Sequence, residues 1–245
     1  MLVEFIIPCH NEEQILEKNS LKLLNFLNNQ TYNFDWKIIL VLNGITDNSI
    51  TIAEGLKKQN SKIDFFVIKE KAKGNALKTY LNYSSADFLI YMDIDLAVSL
   101  ENINTLLKNL LDNNYDLVIG SRLLPESKTN RSFIRELSSR IYIFLSQIML
   151  RHNFSDLQCG FKGMTKNLFL NISKYIEDKN WFFDTELLIF ANFLNYRIKE
   201  IPVDWAEDRY EKRTSKIKIL SDSLTFIKNL LKLKKRLKTV KKQNF

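Results

Sequence analysis

Asp87-Phe88-Leu89-Ile90-Tyr91-Met92-Asp93-Ile94-Asp95 is an apolar run that ends in two carboxylates one residue apart. Phe, Ile and Tyr favour a pleated backbone, and a continuous apolar run of this length reads as a strand covered on both faces. Side chains at i and i+2 share a face, about 6.6 Å apart at a rise of about 3.3 Å per residue. Asp93 and Asp95 can therefore converge on one cation while Ile94 turns to the core. Hard oxygen ligands of this kind suit Mg²⁺ or Mn²⁺ bridging a diphosphate. The plainer alternative is that Asp95 caps the next helix.

Outward from this run, β-rich stretches at 2–7, 36–42, 63–68, 87–92 and 115–119 alternate with longer segments of helical period. That pattern predicts βαβ units on a mostly parallel sheet, an α/β fold of nucleotide-binding layout. Ligands of such sheets bind beyond the carboxyl ends of the strands, where Pro8, Asn43, Asp93, Asp95 and Arg122 fall. After Arg122 come a polar loop at 124–130, a helix from 131 to about 151 and a Gly-containing stretch at 156–163. A helix over 184–194, a strand over 197–205, a charged loop at 207–215 and a basic helix follow. The expected division is an α/β catalytic domain over 1–215 and an amphipathic basic helix over 216–245.

The 245 residues suit one large α/β domain, and only 6 Gly and 3 Pro occur, so each marks a place where the backbone needs it. The net charge of +8 points to anionic partners without choosing among nucleotide, nucleic acid and lipid. No aromatic-plus-basic RNA module is visible, and the positive charge gathers at the C-terminus, which argues against nucleic acid. Cys9 and Cys159 lie far apart without metal spacing, as expected in a reducing compartment, the cytosol by default. Residues 1–8 read as a first strand and not a signal peptide, and the apolar stretch 141–150 is too short to span a bilayer.

Several constellations carry chemistry, each with an ordinary alternative. Lys73-Gly74-Asn75-Ala76 puts a cation and a small residue at a helix start, suited to phosphate or simply a solvated turn. Asn43-Gly44, ahead of a capping Asp47, could read a base edge or make a turn. Arg131, Arg135 and Ser139 form one stripe of a helix whose other stripe is Ile134, Leu137, Ile141, Leu145 and Ile148. The arginines make a phosphate clamp or a solvated face, and the apolar side could be core or touch lipid. Asp184 and Glu186 sit among aromatics, where a carboxylate is functional or tightly hydrogen bonded. His10 and His152 have no partner at metal or triad spacing.

In chain order, Ile7-Pro8-Cys9-His10-Asn11-Glu12-Glu13, Asn43-Gly44 through Asp47, Lys73-Gly74, Asp93-Ile94-Asp95, Gly120-Ser121-Arg122, Asp156-Leu157-Gln158-Cys159-Gly160-Phe161-Lys162, Phe183-Asp184-Thr185-Glu186-Leu187-Leu188 and Ile201-Pro202-Val203-Asp204-Trp205 ahead of Ser215-Lys216 form an ordered set over nearly the whole chain. The set resembles the inverting glycosyltransferases of family 2, and among them the dolichyl-phosphate β-glucosyltransferase branch beside the dolichol-phosphate mannose synthases. The resemblance implies the GT-A, Rossmann-like fold. It puts Pro8, His10, Glu12 and Asn43 around a base, Lys73, Asp93 and Gln158 on the nucleotide sugar, and Mg²⁺ or Mn²⁺ on Asp93 and Asp95. Lys216 would fold over the diphosphate, and Arg122, Arg131, Arg135 and Ser139 would hold the acceptor phosphate. Asp156, Asp184 and Glu186 would orient sugar hydroxyls. Leu42-Asn43-Gly44-Ile45 replaces the usual Asp-Asp-Gly-Ser, leaving base recognition to Asn43 and backbone groups.

The expectation is inverting transfer of a hexose, from a UDP-glucose-like donor, to a polyprenyl phosphate. The alternatives are a GDP-mannose donor, a soluble glycan acceptor, or a protein that binds nucleotide sugar or nucleic acid without catalysis. An apolar row of Ile217, Leu220, Leu224, Ile227 and Leu231, followed by seven lysines and arginines from Lys232 on, suggests peripheral attachment to the cytoplasmic face of a membrane.

Overall fold

Val3, Phe5 and Ile7 bury on one side of a sheet and Ile6 on the other, and Ile38, Leu40 and Leu42 alternate with Ile39 and Val41 in the same way. Both sides are apolar because helices cover both faces. In this computed structural model residues 1–130, 133–206 and 219–243 are described. Strand β1 (Leu2–Cys9) leads to α1 (Leu16–Asn28), β2 (Asp35–Asn43), α2 (Ser49–Gln59), β3 (Ile63–Ile68), α3 (Lys73–Tyr83), β4 (Phe88–Tyr91) and α4 (Asn102–Leu107). Then come β5 (Leu117–Ser121), β6 (Lys128–Asn130), α5 (Phe133–Leu150), β7 (Lys162–Thr165), α6 (Lys166–Ser173), α7 (Phe183–Phe193), β8 (Ile198–Pro202), β9 (Asp204–Ala206) and α8 (Ile219–Gln243).

Seven strands lie in the order β3-β2-β1-β4-β7-β5-β8, with β7 antiparallel to both neighbours and the rest parallel. The chain steps outward from β1 through β2 to β3 and then returns to the far side of β1 with β4. The crevice between β1 and β4 is thus the switch point at which such sheets bind ligands. Along β1 and β4 the parallel ladder runs to the rung in which the Met92 N–H donates to the Ile6 carbonyl at 3.1 Å. The next rung would need an N–H from residue 8 to the Met92 carbonyl, and Pro8 has none. The strand is released there, so Asp93 and Asp95 stand in a tight turn and not on the pleat. Leu96, at φ +50°, completes the turn.

Three expectations change in detail. The strand expected over 197–205 is two strands, β8 in the main sheet and β9 paired in parallel with β6. The loop expected at 124–130 contains β6, whose Lys-Thr-Asn sequence has no apolar alternation and owes its strand to the β9 partner. The Gly-containing stretch runs into β7, hidden in the sequence by Lys162 and Gly163 at positions that turn out to be fully central.

Helix α8 does not bury the row read from the sequence. Ile227 and Leu231 are exposed, whereas Leu230, Leu233 and Val240 close the core beneath α7. Ile217, the 215/216 division and the charged loop 207–215 past Ala206 lie outside the described residues, as do the side chains of Leu220 and Leu224. Arg236 anchors the helix, its guanidinium bonded to Glu186 of α7 and to the Tyr175 carbonyl, and 3.2 Å from Glu177. Among the described residues no helix is long and apolar enough to cross a membrane. Because Glu186 is buried, Arg236→Ala leaves its carboxylate without a counter-ion, held only by the Glu177 and Asp178 N–H groups, and should lower the unfolding free energy in urea by about 3 kcal/mol. The exposed neighbour Lys235→Ala should change it by less than about 0.5 kcal/mol.

Candidate active site

The carboxyl ends of β1 and β2 are laced together before any ligand arrives. Asn43 donates through Nδ2 to the Cys9 carbonyl at 2.7 Å, and its own carbonyl lies 2.9 Å from His10 Nδ1. Asn11, at φ +53°, bonds Thr46 in both directions, and Glu13 and Asp47 exchange bonds with the backbone of each other's loop. Gly44 makes this fit possible: at φ +57° it packs on Lys71, whose Cα a side chain there would meet at 2.7 Å. Pro8, His10, Glu12 and Asn43 thus stand together, with Glu12 and Asn43 buried and His10 half-buried.

Beside them Lys73, at the start of α3, donates from Nζ to Asp93 Oδ1 at 2.6 Å and lies 4.9 Å from the centre of the exposed Trp181 ring. Burial works against the Lys73 ammonium, but Asp93, Asp184 and Asp95 outweigh it and hold its pKa above the usual lysine range. Behind Asp93 is bare backbone: a Cβ on Gly160 would come within 2.2 Å of Asp93 Oδ2. Asp95 is half-buried and accepts the Ala97 N–H at 3.1 Å, so it orders its own turn, whereas the next helix, α4, is capped at Glu101 and not by Asp95.

The loop from Ser155 to Lys162 forms the opposite wall. Glu200 accepts from the Ser155 N–H at 2.9 Å and fixes where the loop begins. Asp156 takes a bidentate grip from Arg122, Nε at 2.7 Å and Nη2 at 3.0 Å, and accepts the Gln158 N–H. Burial pushes the Asp156 carboxyl up, yet Arg122 and these bonds carry it down to about 2. Gln158 donates to Thr185 Oγ1 at 2.6 Å, which also bonds the Tyr142 hydroxyl of α5 at 2.8 Å. Lys162, fully buried, donates to the Cys159 carbonyl at 2.5 Å and to Asp184 Oδ1 at 2.6 Å, the same oxygen that receives the Tyr91 hydroxyl.

These contacts show which partners several expected site residues have within the protein. Asp184 and Glu186, expected to orient sugar hydroxyls, face inward: Asp184 neutralises Lys162, and Glu186 accepts the N–H groups of Glu177 and Asp178 and pairs with Arg236. Their aromatic setting marks burial with partners, the second of the two readings left open. Arg122, expected on the acceptor phosphate, spends two donors on Asp156 and stacks on Trp205. Arg131 and Lys216 lie outside the described residues, as does the Arg135 side chain; Ser139 is half-buried on α5. Sequence reasoning passed over Lys162 and Trp181. A lysine directly after Gly160-Phe161 at the start of a strand was the available signal for the first.

A family model for glycosyl transferase family 2 matches residues 4–172, and the chain belongs to that family. Among curated proteins it is 29% identical to glycosyltransferase AglD of Haloferax volcanii over 91% of this chain and 35% of that protein. It is 32% identical to the dolichyl-phosphate β-glucosyltransferase ALG5D of Trichomonas vaginalis over 84% of this chain and 66% of the relative. A dolichyl-phosphate β-glucosyltransferase of Homo sapiens is 28% identical over 82% of this chain and 66% of its own length. The chain thus spans about a third of AglD and just under two thirds of the other two. Glucosyl-3-phosphoglycerate synthase of Mycobacterium tuberculosis, solved with Mn²⁺, UDP and phosphoglyceric acid, superposes with a TM-score of 0.67 at 17% identity, over 95% of this chain and 78% of that one. The GT-A fold expected from the sequence is the fold observed.

The depressed Asp156 value has a consequence in acid. A carboxyl held below its ordinary 3.8 contributes stability in full above about pH 4 and loses it as pH falls toward about 2. Urea unfolding at stepped pH should show about 2 kcal/mol lost through this window. Asp156→Asn, less stable near neutrality, should show a correspondingly flatter acid limb.

Proposed function

We propose that the chain moves a hexose from a nucleoside-diphosphate sugar, UDP-glucose by preference, to the phosphate of a polyprenyl lipid with inversion at the anomeric carbon. One observation carries the reading: Lys73, Asp93 and Asp95 gather at the β1/β4 switch point of a family 2 chain whose relatives include proteins named dolichyl-phosphate β-glucosyltransferase.

In this reading the Asn43 amide and the backbone of the two laced loops present fixed groups to the base, with Pro8, His10 and Glu12 alongside. Lys73 would bring positive charge toward the diphosphate while holding Asp93 in place, and Lys216, outside the described residues, would be the second lysine at the diphosphate. The donor set fits a hard divalent ion: Asp95 and Asp93 are oxygen ligands only, and among the described residues no third His, Cys or carboxylate joins them, so phosphate oxygens would complete the shell. Mg²⁺ or Mn²⁺ held there would supply Lewis-acid charge neutralisation on the leaving diphosphate.

The acceptor's phosphate monoester, with a second pKa about 6, is largely dianionic at pH 7 and attacks without a strong general base. Arg131, Arg135 and Ser139 would hold that phosphate. Gln158 would meet the sugar from the wall of the crevice, and Asp156 orients Gln158 through its backbone N–H. Asp184 acts one step removed, by fixing Lys162 and through it the carbonyls of Leu157 and Cys159. A lipid-borne acceptor puts the protein on a membrane surface, at its cytoplasmic face, with the exposed lysines of α8 adding attraction to anionic headgroups.

Incubation with radiolabelled nucleotide sugars and polyprenyl phosphate, followed by butanol extraction, tests the reaction. UDP-glucose should label the lipid phase; label from GDP-mannose alone, or only on a soluble glycan, would replace this donor or acceptor. Asp95→Asn should abolish transfer with the fold intact, and a chelator should do the same until Mg²⁺ or Mn²⁺ is restored. Gly160→Ala should push Asp93 off Lys73 and weaken UDP binding in calorimetry by roughly tenfold or more, the size of one lost charge-assisted contact of about 1.5 to 3 kcal/mol. Its melting temperature should barely move.

A further inference from the structure

The run Trp181-Phe182-Phe183 divides unevenly: Phe182 and Phe183 are buried in the core, while the Trp181 indole is 39% exposed. A lone exposed aromatic is ordinary on a protein surface. What sets Trp181 apart is how firmly its loop, between α6 and α7, is held. Asp178 Oδ1 accepts the N–H groups of Asn180 at 2.7 Å and Phe182 at 3.1 Å, the residues on either side of the tryptophan. The Lys179 carbonyl accepts the Asn75 N–H of α3 at 2.9 Å, and the Lys179 ammonium lies 3.1 Å from Glu70. Gly74 lets α3 come this close, because a Cβ there would stand 2.6 Å from the Asn180 carbonyl oxygen. Glu186 fixes the start of the loop through the Glu177 and Asp178 N–H groups.

The ring so held stands at the crevice. Lys73 Nζ lies 4.9 Å from its centre and 2.6 Å from Asp93 Oδ1, so indole, ammonium and carboxylate touch one after the other. Two residues on, α7 begins and packs on β4 through the Phe183 and Tyr91 rings, 6.4 Å apart. Thr185, the third residue of that helix, accepts from Gln158 at 2.6 Å. Trp181, Asp93 and Gln158 therefore border one stretch of the crevice. An apolar ring face flanked by charged and amide groups suits a pyranose, whose C–H groups can lie on the aromatic plane while its hydroxyls meet polar groups at the edge. A diphosphate has no apolar face to offer the indole, and a prenyl chain has no hydroxyl for Asp93 or Gln158.

We infer that Trp181 is the platform on which the donor's hexose ring stacks, a residue that recognises the sugar and not the nucleotide. This rests on the proposed function for the donor being a nucleoside-diphosphate hexose. The alternative is that the indole only steadies Lys73 through its ring contact. The two differ in what they act on. A steadier of Lys73 serves the diphosphate and affects UDP and UDP-glucose alike, whereas a hexose platform leaves UDP, which carries no hexose, unaffected. Phenylalanine keeps an aromatic face for the sugar, so Trp181→Phe retains most of what Trp181→Ala removes.

The test is calorimetry on the full chain with Mg²⁺, using UDP and UDP-glucose as probes. Trp181→Ala should weaken UDP-glucose binding roughly tenfold, the loss expected for about 50 Å² of apolar contact, and change UDP binding by less than about twofold. Trp181→Phe should stay close to the parent, and neither substitution should move the melting temperature much, since the indole is exposed. In Trp36→Phe/Trp205→Phe, which leaves Trp181 as the one tryptophan, UDP-glucose should alter the emission beyond any change that UDP produces. Equal weakening of UDP and UDP-glucose by Trp181→Ala overturns the inference and leaves the ring as a support for Lys73. Unchanged binding of both overturns it too, as does an emission that responds identically to the two probes. These outcomes leave the proposed function standing, because the intact chain still binds UDP-glucose. Failure of the intact chain to bind UDP-glucose at all would overturn the proposed donor, and the platform with it.

Discussion

The site depends on a hydrogen bond that cannot form. β1 and β4 pair in parallel up to the Ile6–Met92 rung, and Pro8 withholds the N–H that the next rung needs. Had that rung formed, Asp93 and Asp95 would continue the pleat. Released, the chain turns tightly at Leu96 and presents both carboxylates at the switch point, beside the laced ends of β1 and β2. The cost of one missing ladder bond at a strand end is small, because the end of a strand frays in any case. What it produces is a fixed turn exactly between the helix start bearing Lys73 and the backbone of Gly160.

Charge is managed in two layers around that turn. Lys73 and Asp93 form a partly exposed pair that a phosphate or a cation can join. Beneath it lies a buried layer, Lys162 with Asp184 and Tyr91, and Arg122 with Asp156. Buried pairs add little net stability over apolar residues of equal size, since desolvation offsets attraction. Their value is positional. Each cation also reaches toward the loop between Ser155 and Lys162, so the wall of the crevice is held by bonds that have only one satisfactory arrangement. The same logic ties α8 to α7 through Arg236 and Glu186, and so sets which side of α8 faces outward.

The outward face of α5 follows from where its polar groups find partners. Tyr142 and Ser146 bond inward, to Thr185 and His152. With those inside, the apolar row has nowhere to go but out, and the helix becomes a boundary between the crevice and whatever lies beyond the protein.

The alternation of apolar strands and helical segments, the placing of Pro8, Asn43, Asp93, Asp95 and Arg122 at strand ends, and family membership were all legible in the sequence, because short-range periodicity and ordered motifs are properties of the chain itself. Which side of an amphipathic helix is inside was not: α5 and α8 each have a clear apolar row, and the exposed one can be told only from packing. The same holds for the carboxylates. Asp184 and Glu186 read like Asp93 and Asp95, charged residues in apolar surroundings, and their separation into buried counter-ions and half-buried carboxylates at the crevice is decided by Lys162 and Arg236, 22 and 50 residues away. β6 and β7 escaped for the same reason, since a strand without apolar alternation exists only where a partner strand meets it. Sequence records what each segment prefers; the tertiary structure decides which preference meets a partner, because burial and charge pairing act between residues far apart along the chain.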